Sequence, residues 1–151
     1  MQAKSIHGKS TQEINAALEE SLKDGYKPTL AIIFMSIKQD RKAICKLLDS
    51  KNIEVFGATS CGEFIDGHQS EGEIAVLLLE LSKEYYTIIF EDIGDRTLEE
   101  TVSNLANDSL KKFTNPSLIL CSTGINQQSE FFKGEEMVSF LKKSLGLDKL
   151  F

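Results

Sequence analysis

The segment Pro28–Glu63, PTLAIIFMSIKQDRKAICKLLDSKNIEVFGATSCGE, decides the fold because it predicts a strand, a helix and a second strand in succession. Its first part, TLAIIFMS, is a short apolar run rich in isoleucine, which is typical of a buried strand. Asp40 is placed to cap a helix with apolar side chains at helical spacing, and IEVFGA predicts the next strand. Two strands joined through a helix imply a parallel pair.

The segments on either side extend this unit. Ser10-Thr11-Gln12-Glu13 forms a capping-box pattern that predicts a helix start. After the glycine-rich segment, EIAVLLLEL and YYTIIFEDI predict two strands joined by a short polar turn, which would form an antiparallel hairpin. A second capping box begins at Thr97 and predicts another helix.

The last third of the chain predicts one more strand and a final helix. SLILCS follows Pro116, and a helix with apolar side chains at helical spacing is expected to end at Gly146. The predicted fold class is therefore α/β: a mixed β-sheet with helices on both faces, containing a βαβ crossover and an antiparallel hairpin.

The composition limits the class of protein. The chain has 151 residues, of which 41% are apolar, so one domain with a proper core is expected. A net charge of −6 disfavours nucleic acid and anionic membranes as partners. No apolar run approaches the ~20 residues of a membrane span. Residues 1–10 lack the apolar core of a secretory signal and are expected to be a flexible N-terminus of a cytoplasmic protein.

The cysteines and histidines argue against a metal centre or a disulfide framework. Three cysteines without a Cys-x-x-Cys spacing fit neither, and only two histidines are present, His7 and His68. Neither a metal nor another cofactor is predicted by this reasoning.

An internal echo predicts an incomplete repeat. A helix, Pro28 and a strand are repeated 88 residues later as a helix, Pro116 and a strand. In the first copy a further strand and the glycine-rich segment follow, whereas GLDKLF ends the second copy. We expect residues 1–151 to be an incomplete front part of a longer protein, although the echo is also explained by coincidence.

The glycine-rich segment Gly57–Gly72 is the predicted ligand site. Ligands of open α/β sheets bind beyond the carboxyl ends of parallel strands, and this segment leaves such an end. Its hydroxyls, flexible backbone and carboxylate suit a small polar or zwitterionic metabolite. The alternative is that these groups only satisfy loose backbone atoms at a strand end. The candidate ligand-binding residues, including strand-end positions elsewhere, are Ser36, Gly57, Thr59, Ser60, Cys61, Gly62, Glu63, Ser122 and Thr123.

The same segment resembles the signature of the FIST sensory domain. Gly57-Ala58-Thr59-Ser60-Cys61-Gly62-Glu63 is similar to the family's Gly-Cys-Ser-Thr-Ala-Gly-Glu-like motif, with Ala58 and Cys61 exchanged relative to the usual Cys and Ala. The Ser70-Glu71-Gly72 entry into an apolar strand also fits, and the resemblance extends from about Pro28 onward.

This resemblance implies an intracellular sensor in signal transduction without catalysis. It implies an amino acid or related metabolite as ligand, and an output partner of the histidine kinase or chemotaxis receptor type. Family chains normally continue past this length, which agrees with the unfinished echo.

Three other functions stay open. A haem-based gas sensor would use His7 or His68 as the axial ligand of the iron. A cysteine-dependent enzyme would use Cys61 as nucleophile and His68 as base, although their spacing fits no recognised motif. A pure interaction or scaffolding role is also compatible with the acidic surface.

Overall fold

The computed structural model describes residues 2–125 and 131–147, which form two compact units. The first unit ends at Tyr86 and the second begins at Thr87. The first contains eight elements in chain order: β1 Gln2–Gly8, α1 Thr11–Leu22, β2 Leu30–Ser36, α2 Arg41–Asp49, β3 Glu54–Ser60, β4 Glu63–Ile65, β5 His68–Ser70 and β6 Ile74–Glu80. The described part of the second contains α3 Leu98–Lys112 and α4 Gly134–Ser144.

A mixed four-stranded sheet organises the first unit, with the strand order β1-β6-β2-β3. β2 and β3 are parallel and are joined through α2, as the sequence predicts, whereas β6 runs antiparallel to both β1 and β2. The α/β class and the parallel crossover are therefore confirmed.

Helices α1 and α2 begin where their capping residues predict. The hydroxyl of Ser10 accepts a hydrogen bond from the Glu13 N–H, and the Asp40 carboxylate accepts one from the Ala43 N–H. Both helices pack into one core with alternate residues of the strands, so they share one face of this sheet. The expectation of helices on both faces stays a prediction, because α3 and α4 belong to the other unit. The buried core residues are Ile6, Ile14, Leu18, Tyr26, Ala31, Ile33, Met35, Ile44, Leu48, Ile53, Ile74, Val76 and Leu78.

The first correction concerns the N-terminus, which was expected to be flexible. Gln2–Gly8 form the edge strand β1, which pairs with β6 along its whole length. Ile6 contributes to the core, and Lys4 forms an ion pair with Asp24 at 2.7 Å.

The second correction concerns the predicted hairpin of EIAVLLLEL and YYTIIFEDI. The first segment forms β6, but residues 85–93 form no strand. The reason is that β1 and β2 already occupy both edges of β6, so neither edge is free to pair with the segment that follows. The hairpin of this fold lies instead within the glycine-rich segment, where β4 pairs with β5.

The second unit is built on the pairing of α3 with α4. The predicted capping box at Thr97 is present in full, and the last helix ends just before Gly146, whose φ of +71° suits glycine. SLILCS forms no strand, which corrects the prediction; the described residues of this unit offer only an isolated bridge between Ile125 and Phe131. The buried residues between the helices are Val102, Ala106 and Leu141.

Candidate functional site

The carboxyl ends of β2 and β3 lie side by side and bring two predicted residues together. Ser36 and Ser60 are register partners in the last position of the parallel pair, so their side chains share one face of the sheet. Thr59 is paired with Met35, and strand alternation directs it to the opposite face. Ser36 is buried, Ser60 is half-buried and Thr59 is exposed.

Gly57 is required by the close approach of the two backbones. A Cβ at this position would lie 1.9 Å from the carbonyl oxygen of Ile33, its partner on β2. The group that closely approaches Gly57 is therefore a backbone carbonyl, and only a residue without a Cβ leaves room for it. Gly57 therefore maintains the pairing that places Ser36 beside Ser60.

Glu63 carries a buried carboxylate that is fully engaged by the protein. Only 2% of the residue is exposed. Its Oε1 accepts a hydrogen bond from the Ser60 hydroxyl at 2.7 Å, and Oε2 accepts from the N–H groups of Gly72 and Glu73 at 3.0 and 3.1 Å. Of the two roles considered for Glu63, ligand binding and holding the loop, these contacts supply the second.

Residues 63–70 of the glycine-rich segment form a hairpin. β4 and β5 are joined by Asp66 and Gly67, whose φ values of +47° and +81° are those of a two-residue hairpin turn. Asp-Gly is the sequence signal for such a turn, so Asp66-Gly67 is the motif by which the sequence indicates this hairpin. Cys61 and Gly62, between β3 and β4, are exposed.

Ser122 and Thr123 lie in the second unit. Both are exposed, and the Thr123 hydroxyl donates to the Ile125 carbonyl oxygen at 2.6 Å. Their convergence with Ser36 and Ser60 stays a prediction. The same unit contains an open depression of about 580 Å³, none of whose lining residues was predicted: Glu91, Asn104, Asn107, Asp108, Leu110 and Lys111.

A cluster of two histidines and a glutamate was missed as a group. Nε2 of His68 lies 3.1 Å from Oε2 of Glu73, and Nδ1 of His7 lies 3.6 Å from the same oxygen. The hydrogen bond from His68 holds the pKa of the Glu73 carboxyl below its usual range, against the opposing effect of burial. The sequence alone predicts a flexible stretch around His7, and only the pairing of β1 with β6 reveals its position.

The fold and the strand-end motif define an α/β domain built around a parallel strand pair and a buried glutamate. Residues 29–146 match the model of the FIST N domain, so the chain belongs to the FIST family. The predicted resemblance is confirmed. FIST domains are sensory domains of signalling and are usually non-catalytic. No curated protein and no solved structure matches the chain significantly. In the described parts of the chain, no helix has the length and apolar character of a membrane span.

Proposed function

We propose that this FIST domain senses an amino acid or a related small zwitterion at the carboxyl end of the β2–β3 pair. The observation that carries the proposal is the register pairing of Ser36 with Ser60. Two hydroxyls on one face of a parallel strand end lie in the position where open α/β sheets bind ligands.

The hydrogen bonds already made by the two hydroxyls leave them with complementary roles. Ser60 donates its hydrogen to Glu63, so its oxygen remains available as an acceptor for an ammonium group. The Ser36 oxygen accepts from the Lys38 N–H at 3.3 Å, so its hydrogen remains available to donate to a carboxylate. One donor beside one acceptor suits a zwitterion better than a singly charged ligand.

The other predicted residues contribute around this pair. Gly57 and Glu63 position it, and we assign the exposed Cys61 and Gly62, which follow Ser60, to the rim of the site; Thr59 faces the other side of the sheet. Binding would favour one arrangement of the segment after β3, and an output protein of the histidine kinase or chemotaxis receptor type would read that difference.

The test is a panel of the common amino acids and their close relatives, measured by thermal unfolding and calorimetry. We expect a saturable rise in Tm with at least one of them. Ser60→Ala and Ser36→Ala are each expected to weaken its binding by roughly 10-fold or more, since a hydrogen bond to a charged group contributes about 1.5–3 kcal/mol.

Ser82→Ala is the matched control, because Ser82 is an exposed serine of the same unit whose hydroxyl donates to the Glu84 carboxylate. Its affinity for the ligand should equal that of the unmodified chain. If no compound of the panel binds, or if Ser36→Ala and Ser60→Ala bind as well as the control, the proposal is wrong.

A further inference from the structure

We propose that His7, His68 and Glu73 form a binding site for a divalent transition-metal ion of the Zn²⁺ type. His7 lies in β1 and His68 lies in β5, and Glu73 is the residue that directly precedes β6. Their possible ligand atoms all lie within 4.8 Å of one another. Nothing in this inference depends on the proposed ligand of the β2–β3 pair.

The distances fit such an ion after a small adjustment. A tetrahedral zinc with bonds of about 2.0–2.1 Å holds its ligand atoms roughly 3.3–3.4 Å apart. The two histidine nitrogens lie 3.1 and 3.6 Å from the shared Oε2 of Glu73, which brackets that separation. The imidazole rings are neighbours, with centroids 4.9 Å apart, so a rotation of exposed side chains closes the remaining gap between their nitrogens.

The donor set selects the kind of ion. Two neutral imidazoles and one carboxylate are ligands typical of zinc and its neighbours in the periodic table, whereas Mg²⁺ and Ca²⁺ prefer oxygen atoms alone. The histidine side chains are 52% and 48% exposed, which gives an ion access and leaves its remaining position to water or another ligand. The Glu73 side chain is only 10% exposed and supplies a negative charge from a fixed position.

Among the described residues, Lys9 is the cation that pairs with Glu73, and its positive charge would repel a metal ion bound there. Its Nζ lies 3.7 Å from Oε1 of Glu73, whereas both histidines face Oε2. The ammonium group therefore occupies the oxygen that faces away from the histidines, and the ion would take the other oxygen. Removing the charge of Lys9 should strengthen metal binding, because a like charge close to the ion is lost.

Metal binding would connect β1 with the part of the chain around β5 and the start of β6, which is distant from β1 in sequence. Glu73 also donates its backbone N–H to the buried Glu63 carboxylate. An ion at His7, His68 and Glu73 would therefore fix the β4–β5 hairpin against the edge strand β1, and it would stabilise the folded state.

In the experiment, the chelator-treated chain of residues 1–151 is titrated with ZnCl₂. Calorimetry measures the binding, and thermal unfolding measures the change in Tm. We expect one equivalent of Zn²⁺ to bind and to raise Tm, while MgCl₂ at the same concentration does neither. Co²⁺ should bind with the visible absorption of a site that contains nitrogen ligands. His7→Ala and His68→Ala should each weaken zinc binding by about 100-fold or more, because loss of an outer-shell partner alone costs 10–100-fold. Lys9→Met should bind zinc more tightly.

Two variants serve as controls. Glu71→Gln removes an exposed carboxylate from the same turn and should leave the affinity unchanged. Cys61→Ser removes an exposed thiol, a strong zinc ligand in its own right, and zinc should bind this variant as it binds the unmodified chain. The proposal is overturned if zinc does not bind, if binding survives both histidine substitutions, or if Cys61→Ser abolishes it.

Discussion

At the scale of single residues, Glu63 changes the interpretation of the strand-end motif. A carboxylate next to hydroxyls favoured direct contact with a ligand's ammonium group, yet its two oxygens accept three hydrogen bonds from the protein. A buried carboxylate is stable only when its charge is satisfied in this way. Glu63 therefore orients Ser60 and anchors the turn before β6, and ligand recognition is left to the hydroxyls.

Gly57 allows a prediction that separates close packing from backbone conformation. Gly57→Ala should destabilise the fold by about 3 kcal/mol or more, because its Cβ would overlap the Ile33 carbonyl oxygen in the middle of the parallel pair. Gly67→Ala is the matched control: φ at Gly67 is also positive, at +81°, but its Cβ would meet no atom within 4 Å. That substitution should cost only about 1–2 kcal/mol, the cost of a left-handed backbone.

Chemical denaturation of the two variants and of the unmodified chain measures both values. Equal losses of unfolding free energy at the two glycines would contradict the argument, since the difference between them is attributed to the contact with Ile33.

At the scale of elements, local signals predicted the starts of three helices. Ser10, Asp40 and Thr97 each cap a helix where the sequence places it, because capping depends on residues within one turn. β1 was missed because QAKSIHG contains a single large apolar residue, Ile6, and its strand is defined by pairing with β6. The prediction of a strand at YYTIIFEDI is wrong for the same reason. Both edges of β6 are paired with β1 and β2, and residues next to YYTIIFEDI in the sequence do not indicate this.

The candidate site was predictable only in part for the same reason. The position of Ser36 and Ser60 follows from two parallel strands, each read from its own apolar run. Two other contacts depend on how the β4–β5 hairpin packs against the sheet. These are the hydrogen bond from the Gly72 N–H to the Glu63 carboxylate and the contact between the rings of His7 and His68. Such packing is not readable from neighbouring residues in the sequence.

The segment after β6 is fixed by Tyr86, which gives a prediction about pH. Its hydroxyl lies 2.6 Å from Oε2 of Glu54 and 3.0 Å from the Thr29 carbonyl oxygen. Burial, and secondarily the hydrogen bond to the Glu54 carboxylate, raise the pKa of Tyr86 to about 12. The folded state therefore keeps a proton that the unfolded chain loses at a pKa of about 10. The stability that Tyr86 contributes is complete below about pH 10 and is lost as the pH rises toward 12.

Ultraviolet absorbance of the three tyrosines during a pH titration measures this ionisation. A step near pH 12 should be present in the unmodified chain and absent in Tyr86→Phe. The decline of unfolding free energy above pH 10 should also be shallower in Tyr86→Phe. Ionisation of all three tyrosines together near pH 10 would show that Tyr86 is not held as described.

At the scale of the whole molecule, the two units and the family match divide the chain differently. The match to the FIST N domain begins at residue 29 and continues to residue 146, whereas the first compact unit starts before that point and ends at Tyr86. β1 and α1 precede the match, yet they supply Ile6, Ile14 and Leu18 to the core of the first unit. The core therefore requires residues that the family motif does not include.

This difference predicts which fragments fold. Residues 1–86 contain the whole four-stranded sheet with both of its helices, so we expect this fragment to unfold cooperatively with heat. Residues 29–86 lack β1 and α1, which leaves an edge of β6 unpaired and exposes the apolar side chains that Ile14 and Leu18 cover. Burial of each large aliphatic side chain contributes about 1.5–3 kcal/mol, so losing three of them removes roughly 4.5–9 kcal/mol, which is comparable to the whole stability of a small domain at about 5–15 kcal/mol. Circular dichroism during heating compares the two fragments. A cooperative transition in residues 29–86, or none in residues 1–86, would contradict this account of the core.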